Sequence, residues 1–267
     1  VEARMCYSLL RMTPVCTADG GRMRIRGARL VRGLALGATE LVWPTRCVGC
    51  DMPGDLVCEE CREALSWICQ RWACPSCGAP FGHLTCTECD HDWETRAVIC
   101  AMGFEGAAAH MVTYLKDAHE LRLAPVVALA MLTALEEAAA WPSSDGLPRY
   151  DPAAVDAVCF VPATSSAYAR RGFDHMELVS RALCAETGLV LHDALVRERA
   201  RDQRVLGRDE RAANLGGSMR ACDEVAGMRL LLLDDVVTTG SSVREATRVL
   251  RARGAVSVTA CALARVW

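Results

Sequence analysis

The sequence is almost without lysine. Of its 30 basic side chains one is lysine, Lys116, and the rest are arginine. Such a bias suggests a GC-rich genome in which arginine replaces lysine wherever it serves. The lysine that remains is a candidate for a role a planar guanidinium cannot fill. Also lacking is any apolar run near the roughly 20 residues that span a bilayer. The apolar stretch Leu30 to Leu41 is broken by Arg32, and no convincing small-residue cleavage site follows it. Nothing therefore directs export, and a cytoplasmic location is expected. An excess of positive charge is missing too: a net charge of −3 excludes polyanion binding by bulk charge. What is present, 267 residues of which 52% are hydrophobic, suffices for one sizeable domain and a small one.

One stretch organises the rest. Leu230 to Ser242 reads as an aliphatic run, two adjacent acids, two valines, two threonines, a glycine and two serines. A short apolar run bounded by loop signals is a buried strand of a parallel sheet. Val243, Ala246, Val249 and Leu250 follow at helical spacing. A strand–loop–helix unit of this kind places its loop where open α/β sheets bind ligands. The segment from Thr238 to Ser242 combines backbone N–H groups, four hydroxyls and a helix N-terminus, which suits a phosphate dianion. Asp234 and Asp235 would repel that phosphate, so they face a different group. Neighbouring carboxylates accept hydrogen bonds from a vicinal diol or help hold Mg²⁺. Phosphate at one end and diol at the other describe a ribose 5-phosphate.

The 16 cysteines include four C-x2-C pairs within 43 residues: Cys47/Cys50, Cys58/Cys61, Cys74/Cys77 and Cys86/Cys89. Each pair forms a knuckle that gives two thiolates to a tetrahedral Zn²⁺, and two knuckles close a structural site. The simplest pairing is sequential, Cys47/Cys50/Cys58/Cys61 and Cys74/Cys77/Cys86/Cys89; an interleaved pairing stays open. A disulfide set is disfavoured by the lack of an export signal. Cys69 is read as unligated, and His83 and His91 as solvated loop histidines. Trp67, Trp72, Phe81 and Trp93 lie in this region with few basic residues beyond Arg62 and Arg71, which argues against direct nucleic-acid binding here. The arginine-rich segments elsewhere are better candidates.

Residues 1–46 carry eight arginines against three acids. The chain opens on Val, and the expected start is Met23, with 1–22 an upstream translation or a disordered tail. Residues 26–42 have helical spacing. This divides the chain into 1–22, an N-terminal helix with a double zinc ribbon over 23–92, and a larger domain over 93–267. In the larger domain Ala97 to Met102 reads as a strand, His110 to Leu115 as a helical turn ending at Lys116, and Leu121 to Ala140 as a long apolar helix. Val155 to Val161 reads as a second buried strand. It is followed by a loop, Pro162-Ala163-Thr164-Ser165-Ser166, then Arg170 and Arg171, then a helix from Met176 to Thr187. Two arginines beside a loop of backbone donors suit pyrophosphate. Arg197 to Arg220 is polar and directly precedes the phosphate strand, which marks a functional lid. Ala255 to Ala264 reads as a last strand.

The stretch from Leu231 to Ser242 resembles the PRPP-binding signature of type I phosphoribosyltransferases. The order of four C-x2-C pairs, a lone lysine, Val-Pro with Arg171-Gly172-Phe173, then Gln203, Leu206, Arg211 and Asn214, then the PRPP motif, resembles the ComF family over roughly Leu41 to Trp267. Those proteins are similar to phosphoribosyltransferases with an N-terminal zinc ribbon and are associated with DNA uptake in competent bacteria. The resemblance implies a parallel α/β sheet flanked by helices and PRPP binding by Asp234, Asp235, Thr238, Thr239, Gly240, Ser241 and Ser242. It also implies pyrophosphate contacts from the loop Pro162 to Ser166 (Pro162, Ala163, Thr164 and Ser165 above all) and from Arg171, a mobile hood around Gln203 to Asn214 that includes Arg211, and a part for Lys116. Two departures bear on the acceptor: Asp174-His175 stands where the family usually has Asn-Gln, and Met219 where it usually has an aromatic.

The reaction implied is displacement of pyrophosphate from the anomeric carbon of PRPP by a nitrogenous acceptor. Mg²⁺ and Arg171 would stabilise the charge that grows on the leaving group, while lid closure excludes water. The rival class is a non-catalytic PRPP-sensing or single-stranded-DNA- or partner-binding module. A homodimer is left open by the sequence.

Overall fold

The computed structural model describes residues 44–90, 93–143, 145–197 and 219–267. The tail expected over 1–22, the helix over 26–42, His91 and the hood residues Gln203, Arg211 and Asn214 lie outside these residues.

The core is a four-stranded sheet in the order β1-β6-β5-β2, all parallel. Its strands are β1 (Ala97–Gly103), β2 (Ala157–Phe160), β5 (Arg229–Val237) and β6 (Ser257–Arg265). A two-stranded antiparallel ribbon, β3 (Leu195–Arg197) with β4 (Met219–Ala221), stands beside it. The helices are α1 (Glu59–Glu63), α2 (Gly106–Asp117), α3 (Leu123–Ala138), α4 (Ser165–Arg171), α5 (His175–Thr187) and α6 (Ser241–Ala252).

Both faces of the sheet are covered, so its strands read as continuous apolar runs rather than alternating ones. Leu230 to Leu233 are all buried, yet they divide by the period of two. Leu231 and Leu233 join α2, α3 and α5 on one face, and Leu230 and Leu232 join α6 on the other. Each such leucine contributes about 1.5–3 kcal/mol on leaving water. The cysteine-rich segment shares both cores: Val48 and Val57 pack on the α3 face, and Ile68, Ala73 and Ala79 on the α6 face.

Three local readings change. The segment at 110–115 is part of a twelve-residue helix starting at Gly106. The loop at 162–166 is shorter than expected, because the Thr164 side chain accepts from Ala167 N and caps α4 at Ser165. Strand β5 does not stop at the acids but runs on to Val237, paired with β6 through Asp234↔Ala262 and Val237↔Arg265.

Candidate phosphate site and cysteine clusters

Strands β2 and β5 are neighbours, so their carboxyl ends present two loops side by side. One loop is Thr238–Gly240, ahead of α6; Gly240 takes φ 75°, where a glycine is favoured. Thr239 Oγ1 donates to Ser241 Oγ at 3.2 Å, and Arg197 Nη2 donates to Ser242 Oγ at 3.1 Å. The other loop is Pro162–Thr164, pinned by a 2.6 Å hydrogen bond from Ala163 N to Asp174 Oδ2. Asp174 also caps α5 through Met176 N.

Because β5 continues through both acids, strand alternation sends them to opposite faces. Asp235 turns toward α2 and α5. Its Oδ2 meets Lys116 Nζ and lies 2.8 Å from His175 Nε2. Burial raises its pKa, but His175 and Lys116 outweigh that and hold the carboxyl below the usual aspartate range. Asp234 turns the other way and is buried; its Oδ1 accepts from Asp235 N at 2.9 Å. Burial, then the charge of Asp235, push its pKa well above the ordinary value.

The end of α2 joins the two loops. Lys116 reaches Asp235, while the next residue, Asp117, accepts from Arg171 Nη2 at 3.2 Å and pairs with Arg170 at 3.5 Å. Arg171 is mostly buried, and its Nε has no partner among the described residues. The structure thus brings together Lys116, Asp235 and the arginine pair, with Thr238 to Ser242 on the next loop. Sequence reasoning missed Asp117 and Arg197. It noted Asp174 and His175 as departures, the signal that could have identified them as site residues. Met219, expected near an acceptor, is buried in the core and donates its N–H to Glu245.

The eight knuckle cysteines form two groups in sequential pairing. In each group the sulfurs lie within 4.8 Å of one another. Distances of 3.6 Å (Cys50–Cys58), 3.9 Å (Cys74–Cys89) and 3.7 Å (Cys77–Cys86) match the edge of about 3.8 Å for a tetrahedron with Zn–S of about 2.3 Å. Two buried guanidiniums flank the second group without an ion pair to a carboxylate among the described residues. Arg149 Nη1 donates to Gln70 O at 2.6 Å, and Arg265 Nε to Cys77 O at 3.1 Å. Four thiolates around a divalent ion carry two negative charges, which such a pair offsets. The donor set therefore fits a tetrahedral metal ion. Cys69 belongs to neither group; His83 is an exposed loop residue outside both groups, with its Nδ1 3.4 Å from Arg149 Nη2.

No helix among the described residues is long and apolar enough to cross a membrane. Residues 168–266 match the phosphoribosyl transferase domain family. The chain is 30% identical over 237 residues to DNA utilization protein YhgH of Salmonella typhi, covering 84% of this chain and 99% of that protein. The Escherichia coli K12 protein of the same name is 30% identical over 240 residues, with the same coverage. An orotate phosphoribosyltransferase of Nocardioides is 58% identical over 43 residues, 16% of this chain and 24% of that enzyme. A parallel sheet with a signature loop at its carboxyl edge, a phosphoribosyl transferase domain, paired four-cysteine groups and likeness to the YhgH proteins over 84% of the chain place the chain in the ComF family.

Proposed function

We propose that the chain binds PRPP across the carboxyl ends of β2 and β5 and displaces its pyrophosphate with a nitrogenous acceptor. The observation that carries this is the adjacency of two donor-rich loops, Pro162–Thr164 and Thr238–Gly240, with Asp235 between them. The 5-phosphate would take the N–H groups and hydroxyls of Thr238 to Ser242. The diphosphate would lie along Ala163 to Ser165 beside Arg171, whose buried Nε has no partner among the described residues. Asp235 would accept from the ribose diol.

The Asp235 oxygen is already held by Lys116 and His175, and the described residues hold no preformed carboxylate cage for Mg²⁺. The ion enters with the phosphates of PRPP, as Mg²⁺ commonly does. In the reaction, Arg171 would stabilise charge on the departing pyrophosphate, a preorganised contribution of about 3 kcal/mol. Lys116 keeps Asp235 ionised as an acceptor. The two cysteine groups are closed Zn²⁺ sites with structural roles. A cytoplasmic location belongs to the same proposal.

The name of the YhgH relatives favours a second reading, in which PRPP binding serves DNA utilization without turnover. The test is calorimetric titration of the zinc-loaded protein with PRPP and Mg²⁺, with pyrophosphate release followed across a panel of nitrogenous bases. Binding with base-dependent release supports the transferase. Binding without release, joined to a salt-dependent shift of a labelled single-stranded oligonucleotide, supports the second reading. Absence of PRPP binding rejects both.

A further inference from the structure

The second cysteine group is built into the phosphate loop. Arg265, the buried last residue of β6, donates from Nε to Cys77 O at 3.1 Å. Its Nη1 donates to Val237 O at 3.2 Å and to Thr238 O. A single guanidinium therefore ties a knuckle carbonyl to the first residues of the loop. A second tie comes from Trp93, four residues after Cys89 and buried. Its ring lies on Gly240 so closely that a Cβ there would overlap it. Arg244, in the first turn of α6, stacks its guanidinium 5.7 Å from the centre of the same ring. Beside these contacts a cavity of about 300 Å³ is lined jointly by Thr87 and Cys89 from the knuckle and by Thr239 and Arg244 from the loop and helix.

The knuckle itself is seated on the sheet. Pro75 O accepts from Val98 N at 2.8 Å, and a Cβ on Gly78 would come within 2.6 Å of Cys100 Sγ. No helix or strand runs through residues 74–89; turn hydrogen bonds such as Cys74 N to Ala79 O, and the burial of Cys74, Cys77 and Ala79, hold its first half. Four ligands on one ion would fix the Cys77 carbonyl and the approach to Trp93. The first group differs. It rests on the start of α2, with Val48 O 2.8 Å from His110 Nδ1 and Gly49 against Ala107.

We propose that Arg265 and Trp93 are positioning residues through which metal in Cys74/Cys77/Cys86/Cys89 sets the phosphate loop, so that metal there and ligand at Thr238 to Ser242 stabilise each other. This rests on the PRPP reading of the loop. By linkage, a coupling in which the metal tightens the ligand must have the ligand tighten the metal by the same factor in affinity.

The test uses the zinc-loaded full chain. The partition of zinc between the protein and a competing chelator is measured at equilibrium with and without PRPP and Mg²⁺, while alkylation and peptide mapping report which cysteines are freed. PRPP is expected to protect Cys74, Cys77, Cys86 and Cys89 by about fivefold or more, a usual size for such coupling, with a smaller effect on Cys47, Cys50, Cys58 and Cys61. Arg265→Met should abolish the difference and raise the PRPP Kd, and Arg265→Lys should restore part of both. Equal protection of the two groups, or no protection by PRPP that does bind, overturns the coupling. A wild-type chain that shows no PRPP binding overturns the PRPP reading itself, and the coupling with it. The measurement on the wild type stands even where Arg265→Met fails to fold.

Discussion

Lys116 and His175 converge on one oxygen of Asp235, Lys116 from the end of α2 and His175 from the start of α5. The lysine spared by the arginine bias is thus the one that pairs with the second acid of the signature. A compact ammonium can share a carboxylate oxygen already approached by an imidazole; a guanidinium asks for a planar, bidentate face. Lys116→Arg is therefore expected to fail to restore what Lys116→Met loses. In Lys116→Met a buried carboxylate keeps His175 and the N–H of Val236 but loses its ammonium partner, and a loss of about 3 kcal/mol of stability follows, read by chemical denaturation. The carboxyl is held below its ordinary range in the folded state, so its contribution is complete above the unfolded value near pH 4 and is lost as pH falls below it. The acid limb of a melting profile should be flatter in Lys116→Met; an unchanged limb would count against the pair.

Asp235→Asn should weaken PRPP binding by about tenfold or more, the loss that goes with one charge-assisted hydrogen bond, while metal content stays at that of the wild type. Calorimetry and elemental analysis on the same sample decide it. Equal affinity in the variant would remove Asp235 from the site.

Asp234 behaves in the opposite sense. Its carboxyl is buried beside the charge of Asp235 and is pushed well above the ordinary pKa. In the folded state it holds its proton longer than in the unfolded state, so it lowers stability as pH rises above the unfolded value near 4. Asp234→Asn keeps a carbonyl for the N–H of Asp235 and removes that cost. A Tm higher by about 2 °C or more is expected at pH 7 without ligand, the shift that about 1 kcal/mol gives in a domain of this size. The gain should vanish at pH 3. A lower Tm at pH 7 would show that the folded state uses the charge.

Gly240→Ala meets two obstacles, a left-handed backbone and the Trp93 ring. The backbone alone costs about 1–2 kcal/mol. Displacement of the indole should alter tryptophan emission and abolish PRPP binding together. A variant that binds PRPP with unchanged emission would show that the ring is not seated on the loop in solution.

Removal of metal by a strong chelator should release two ions per chain and loosen residues 44–90, where α1 is the single α-helix and is five residues long. The sheet should persist, because Leu230 to Leu233 are buried by α2, α3, α5 and α6. Proteolysis confined to the cysteine-rich segment is the expected pattern; collapse of the whole far-ultraviolet spectrum would mean that the metal sites hold the sheet as well.

Much of this was legible in the chain as written. The aliphatic run of β5, the glycine and hydroxyls after it, and the C-x2-C pairs are local patterns. Their geometry follows from residue type and short spacing, so the parallel sheet, the loop at the end of β5 and the sequential grouping of the cysteines could be read directly. What the sequence could not decide are relationships across long separations. It placed two acids side by side, and only a strand continuing past them turned them to opposite faces, one buried and one ion-paired. It marked Lys116 as unusual, yet its partner lies 119 positions later. In the sequence Trp93 is only one of the aromatics of the cysteine-rich region, and Arg265 carries no signal of its own. Packing of the second cysteine group against the carboxyl end of β6 brought both onto the Thr238–Gly240 loop, where the buried guanidinium finds carbonyl acceptors and the indole lies on a residue without a Cβ.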